Sequence, residues 1–457
     1  MEDTGKTELF ERTSIPKAVM TLGIPTVLSS LVMVLYNLAD TYFVGMLNNS
    51  AQTAAVTLAA PVLLAFNAVN NLFGVGSSSM MSRALGRRDY DTVRRSSAFG
   101  FYCTLICGVL FSLGYTAFRV PLLGVLGSDV DTLEPTTQYL FWTTTLGAAP
   151  AMLNVVLAYL VRAEGASLHS SLGTMSGCLL NIILDPIFIL PWGLNMGASG
   201  AGFATFISNC AACLYFFVLL FVKRGHTYVC ISPKMFGFRK NIVTGVFGVG
   251  IPASIQNLLN VTGMTLLNNL TAAYNTSAVA AMGVAYKLHN IPFQIALGLS
   301  QGIMPLISYN YAANNPDRLK KTLFFTMKIA LAFLTALTVL YIVFSRSFIA
   351  IFMPDPTVVD YGSKFLVGLS LALPFLCVDF IAVGVFQACG LGSKSLLFAV
   401  LRKIVLEIPF IILLDRLFPL YGLAWSQFCA ELILSIASVF VLARILRRIE
   451  REQPQKL

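Results

Sequence analysis

Five carboxylates stand inside long apolar runs of this 457-residue chain: Asp40, Asp185, Asp379, Glu407 and Glu431. An acid at the centre of a membrane helix costs about 2.5–3.5 kcal/mol on insertion scales. A cavity, a polar partner or a bound cation normally offsets that cost. Asp185 has the richest local chemistry, in the stretch NIILDPIFIL at 181–190. Asn181 lies one helical turn earlier on the same face. Pro186 has no N–H, so the Ile182 carbonyl loses its helical partner. A bent helix with a free carbonyl beside an amide and a carboxylate makes an oxygen-rich pocket, suited to a proton or a hard cation. In NLAD, Asn37 and Asp40 stand at i, i+3, and Pro25 should kink the same segment further upstream. Thr205 could add a hydroxyl from a later segment. The competing reading of each acid is an ordinary interhelical hydrogen bond.

The elements that must carry these groups are membrane helices. Hydrophobic residues make up 56% of the chain and charged residues 11%, against about 25% charged in soluble domains. Solid apolar blocks recur, with no alternating ten-residue strands, so helices are expected rather than a barrel. Twelve spans are predicted: 16–46, 53–81, 94–118, 136–162, 168–192, 197–223, 241–272, 277–311, 318–345, 357–388, 394–417 and 421–446. The net charge of +10 needs no nucleic acid, because Arg and Lys collect in alternate connections: Arg83, Arg87, Arg88, Arg94 and Arg95; Lys223, Arg224, Lys234, Arg239 and Lys240; Arg318, Lys320 and Lys321; and the tail. That alternation places both termini in the cytoplasm of a multi-pass plasma-membrane protein. The polar, partly acidic start does not resemble a cleavable signal peptide. Cys210 and Cys213 form a C-x-x-C inside a span with no second pair, so a role as small hydrophobes is expected rather than redox or metal chemistry.

The two halves echo each other in order. LGIPTVL at 22–28 matches VGIPASI at 249–255, and two basic loops, at 86–95 and 312–321, each follow a second span. VRAEG at 161–165 matches FQACG at 386–390, and LDPIFIL at 184–190 matches LEIPFII at 406–412. Two lobes, 1–228 and 229–457, of six spans each are expected, related by an axis along the membrane normal with a ligand path between them. No P-loop is present, since GLGSKS at 390–395 lacks the Gly-Lys pair. An ion gradient is therefore the economical energy source. At the repeat offset Asp185 falls on Glu407 and Asn181 on Lys403. Two readings stay open there: an internal Lys403–Glu407 ion pair, or a Lys403 that snorkels to water.

Twelve spans in two related halves, GIP opening spans 1 and 7, NLADTYFVG at 37–45, VRAEG and NIILDPIFIL together resemble the multidrug and toxic compound extrusion (MATE) family, over nearly the whole chain. The resemblance implies two six-helix bundles around a cavity, with substrate export exchanged for H⁺ or Na⁺. It carries a coupling role to Asp40, Asn181 and Asp185, less securely to Thr205, and the bend of span 1 to Pro25. If Na⁺ is the ion, Asp40, Asn181 and Asp185 would hold it. Some members place coupling acids in spans 7 and 10; span 7 here has none, but Asp379 in span 10 keeps that version open. No enzymatic cofactor is expected.

The deep charges read as mostly acidic. Tyr36, Phe66, Met33, Tyr139, Trp142, Tyr159, Met264 and Phe293 supply aromatic and thioether surface for large, flat organic cations, although packing is the commoner use of any one of them. The substrate cavity is assigned to Met33, Tyr36, Asn37, Asn154, Asp379 and Glu407, and the hinges to Pro25 and Pro186. The reading is a monomeric antiporter exporting amphipathic cations. Its rival is a lipid-linked saccharide flippase, whose anionic substrate would call for deep basic residues that spans 1, 2 and 7 lack. A membrane enzyme lacks its constellation, with no H-E-x-x-H and no clustered His. A receptor or channel leaves the duplicated acids unexplained.

Overall fold

A lipid-exposed backbone closes all its hydrogen bonds within one segment only as a helix, and the computed structural model follows that rule over residues 7–451, the residues it describes. No strand occurs among them. Among the described residues, eleven segments are long and apolar enough to cross a membrane: Ile15–Gly45, Ser50–Gly86, Tyr90–Val125, a bent pair Val130–Leu146 with Ala148–Ala163, Ser167–Ile189, Ala198–Val222, Lys240–Ala272, Thr276–Ala312, Pro316–Val343, a second bent pair Pro356–Leu371 with Leu373–Ala388, and Gly422–Arg451. The more charged helical stretch Gly392–Leu417, between the last two, brings the spans to twelve. They are numbered 1 to 12 below. Spans 4 and 10 bend by 52° and 41°. In each a proline just past the bend, Pro150 or Pro374, withholds the N–H that would have closed the preceding turn.

The duplication is written into the helix caps. Asn49, Asp89 and Asp129 accept backbone N–H groups at the starts of spans 2, 3 and 4. Asn275, Asn315 and Asp355 do so for spans 8, 9 and 10, each 226 positions later. Caps of this kind satisfy otherwise orphaned N–H groups and fix where a helix begins. Arg88 and Asn314, at the same offset, both take left-handed backbone (φ 59° and 54°) just before their caps. The offset falls to 225 at Gly165 and Gly390, which both take positive φ after spans 4 and 10. A π-helical turn at Phe141–Leu146 of span 4 has no counterpart in span 10, and one inserted residue is what such a turn accommodates.

Two compact units emerge: Met1–Val27 with Ile255–Leu457, and Leu28–Ser254. Each unit boundary falls two residues past a span-opening proline, Pro25 or Pro252. The packing explains the division. In the first unit the opening turns of span 1 lie on span 8, where a Cβ on Gly302 would meet the Leu22 carbonyl oxygen at 2.9 Å. In the second unit the opening turns of span 7 lie on span 2, where a Cβ on Gly76 would strike the Val246 carbonyl.

The segment between spans 6 and 7 is strapped to the second unit. Glu164 accepts from the Thr227 hydroxyl and the Tyr228 N–H, Tyr102 donates to the Ile231 carbonyl, and Tyr228 stacks on Tyr90. In the first unit Phe10 is fully buried against Tyr309, and Arg318 donates to the carbonyls of Leu9, Phe10 and Thr13.

Candidate functional site

From Gly173 onward, beyond first turns that also bury Ser167, Ser170 and Ser171, span 5 buries one stripe, Gly173, Gly177, Asn181, Asp185 and Ile189, at strict i+4 spacing. Its upper part is glycine because span 6 lies very close. A Cβ on Gly173 would enter the Phe216 ring, and one on Gly177 would stand 3.1 Å from both Ala212 Cβ and the Ser208 carbonyl oxygen. That close approach carries down the stripe and brings Asn181 against Thr205 of span 6. With its nitrogen turned toward the acid, the Asn181 amide donates to Asp185 Oδ2 at 2.9 Å and accepts the Thr205 N–H at 3.0 Å, leaving neither end of the amide idle. Asp185 is fully buried and Asn181 is 2% exposed. Span 5 stays helical through Pro186 to Ile189.

Span 1 supplies the facing wall. The Tyr36 hydroxyl lies beside Thr205 and within electrostatic reach of Asp40 and Asp185, and the two acids are within reach of each other. Asp40 Oδ1 is a buried oxygen with no hydrogen-bond partner. Tyr139 of span 4, itself buried, is also within electrostatic reach of Asp40, Tyr36 and Asp185. The structure thus brings together Asp40, Asn181, Asp185, Thr205 and Tyr36. Among the described residues, no Lys or Arg acts on either acid of this group. Two carboxylates, an amide, a hydroxyl and two phenols make a set of hard oxygen donors around unmatched negative charge. Such a set can take up a proton or a small hard cation. No convergent group of three or more acid, His or Cys side chains suited to a metal ion occurs among the described residues, so a metal ion here would lean on the amide, hydroxyl and phenol oxygens.

Other expected residues have different surroundings. Asn37 is exposed and folds its amide back onto the Met33 carbonyl at 3.0 Å, while Met33 itself is half-buried. Asn154 is spent on packing: its amide donates to the Pro150 and Ala151 carbonyls and to Asn209 Oδ1 of span 6. Trp142 donates to Ser199 and packs on Phe203, and Phe66 packs on Phe111.

Asp379 and Glu407 belong to the first unit and are not free acids there. Arg402 Nη2 lies 2.5 Å from Asp379 Oδ2, and Arg402 Nε 2.9 Å from Glu431 Oε1. Lys403 Nζ lies 2.7 Å from Glu407, and its side chain is only 12% exposed. Lys403 is therefore paired inside the helix rather than snorkelling. The deep charge is not wholly acidic: Arg402 is 2% exposed. Arg402 stands next to Lys403 near a span end, where two bases have the look of an interfacial anchor, and Tyr139 is one aromatic among many in the sequence. A π-helical turn, Leu401–Glu407, carries Arg402 and Lys403.

The MatE family model matches twice, over residues 25–187 and 252–413. The two matches open at Pro25 and Pro252, and so register the duplication. The multidrug export protein MepA of Staphylococcus haemolyticus (strain JCSC1435) is 33% identical over 445 residues, 96% of each chain. MepA of Staphylococcus aureus (strain NCTC 8325 / PS 47) is 31% identical over 436 residues, 94% of each chain. Among solved structures, an outward-facing multidrug resistance MATE family transporter of the MOP superfamily superposes with a TM-score of 0.93 and 26% identity, covering 99% of this chain and all of that one.

Proposed function

The chain belongs to the MatE family, and from that premise we propose that it exports amphipathic, cationic small molecules in exchange for H⁺ or Na⁺, by alternating access of two lobes, 1–228 and 229–457. As a member of that family it is a multi-pass membrane transporter of the multidrug efflux class, not an enzyme. The observation that carries the exchange mechanism is the asymmetry of its buried acids. Among the described residues Asp40 and Asp185 have no basic partner, whereas Asp379, Glu407 and Glu431 each have one. An unmatched acid in a low-dielectric site must acquire a positive occupant or stay costly.

Asp40, Asn181, Asp185 and Thr205 are the coupling group in this reading. Asn181 orients the Asp185 carboxylate, Tyr36 and Tyr139 exclude water, and Asp40 offers the unpartnered oxygen. Occupation by a cation neutralises the pair; release restores the negative charge, which then favours a cationic substrate. Met33, Tyr36 and Asn37 line the substrate path beside it. Pro25 and Pro186 are the hinges, and Pro25 acts two residues before a unit boundary. The basic connections put both termini in the cytoplasm, and the transporter works as a monomer.

Reconstituted vesicles loaded with a fluorescent organic cation test the proposal, with H⁺ and Na⁺ gradients imposed separately. Export driven by one of the two gradients, and collapsed by dissipating it, is the expected result. Equal export with no gradient at all would contradict antiport and favour a passive pore.

A further inference from the structure

The first unit contains a second polar cluster, in which three carboxylates, Asp379 of span 10, Glu407 of span 11 and Glu431 of span 12, share the interior with two bases, Arg402 and Lys403. Arg402 is its centre. One side of its guanidinium meets Asp379 at 2.5 Å, and the Nε edge meets Glu431 at 2.9 Å. Its face lies 4.4 Å from the Phe380 ring centroid. Ser438 of span 12 donates to the other Asp379 oxygen at 3.1 Å. Asp379 is 1% exposed, Arg402 2% and Glu431 1%, so water does not screen the group. Without Arg402, spans 10 and 12 would present two carboxylates converging on one point, a small site of unmatched negative charge like that between spans 1 and 5.

We propose that Arg402 is a resident counter-cation: its guanidinium occupies the place between Asp379 and Glu431 that an exchangeable monovalent cation would otherwise hold, so the first unit carries a cation site closed by its own side chain. The planar fork suits the role, because it reaches two carboxylates at once, where an ammonium acts as a point charge. The Lys403–Glu407 pair, one residue along the same π turn, closes the remaining acid. The groups facing the cluster from span 8 are Tyr286, which is within electrostatic reach of Glu407, and His289, which is buried, has neither ring nitrogen bonded, and is within reach of Lys403. The inference stands on the geometry of spans 10–12 alone.

Arg402→Gln tests it. Thermal unfolding of the purified protein is followed in sodium chloride and in choline chloride at matched ionic strength. Relative to the parent in the same two media, the variant should gain an extra sodium-dependent rise of several degrees in its unfolding midpoint, as an opened site takes up the ion. Adding Asp379→Asn should abolish that extra rise. Because the parent serves as reference, any sodium bound between spans 1 and 5 cancels, so the outcome is separable from the proposed coupling reaction. Arg402→Lys supplies the charge without the fork; it should unfold earlier than the parent but gain no sodium dependence. A purely structural role for Arg402 would lower all midpoints equally, and a folded Arg402→Gln indifferent to sodium would overturn the proposal. If Arg402→Gln alone does not fold, Arg402→Gln with Glu431→Gln removes one base and one acid together and should restore folding. Failure of that double variant would equally overturn it.

Discussion

Asn181 Nδ2 stands 2.9 Å from Asp185 Oδ2, four residues along one helix face, while the other end of the same amide takes the Thr205 N–H of the neighbouring span. The amide is thus a splint between spans 5 and 6 that also fixes which way the carboxylate points. Hydrogen bonds to a charged group contribute about 1.5–3 kcal/mol. Asn181→Ala should therefore weaken binding of the coupling ion by roughly ten- to a hundredfold without preventing membrane insertion. The check is the ion concentration giving half-maximal export. An unchanged value would show that the amide only packs.

Gly177→Val tests the stripe that brings the two helices together. Even one Cβ at Gly177 stands 3.1 Å from Ala212 Cβ and the Ser208 carbonyl, and valine adds two methyl groups beyond it. Overpacking of this kind costs about 1–3 kcal/mol. The variant should lose thermal stability and, by prising Thr205 away from Asn181, lose export as well. Gly177→Ala should stay close to the parent, since the neighbours need yield only a few tenths of an ångström. Parallel unfolding and export assays on the two variants separate loss of fold from loss of site.

Pro25→Ala addresses the hinge. The substitution supplies the N–H that proline lacks and favours a straight span 1. Turnover of the purified, reconstituted protein should fall several-fold with its unfolding midpoint unchanged or raised. Parent-like turnover would remove Pro25 from the mechanism.

The helices were the most legible part of the sequence, because an apolar run long enough to cross a bilayer has one viable conformation. All twelve segments expected from those runs coincide with helical segments of the structure, differing by up to about seven residues at their ends. The association of Asn181 with Asp185 was equally readable, since i, i+4 spacing on a helix settles it. What the sequence hid depends on tertiary proximity. Arg402 meets Asp379 and Glu431 from positions 23 earlier and 29 later, and nothing local to any of the three announces the others. Arg402 also sits beside Lys403, where two bases at a span end look like an interfacial anchor. The π turn that carries both bases has no composition signature. Tyr139 was legible only as one of eight aromatic and Met residues, and the fold alone sets it within electrostatic reach of the acids.

Exchange of a cation for substrate at Asp40 and Asp185 is tested most directly with gradient-driven export by Asp40→Asn and Asp185→Asn in sealed vesicles, paired with binding of the same fluorescent cation to the purified proteins. Each variant should insert and fold, and neither should couple export to the gradient that drives the parent. Export by either variant at the parental rate, with the same dependence on that gradient, would contradict exchange at these two acids.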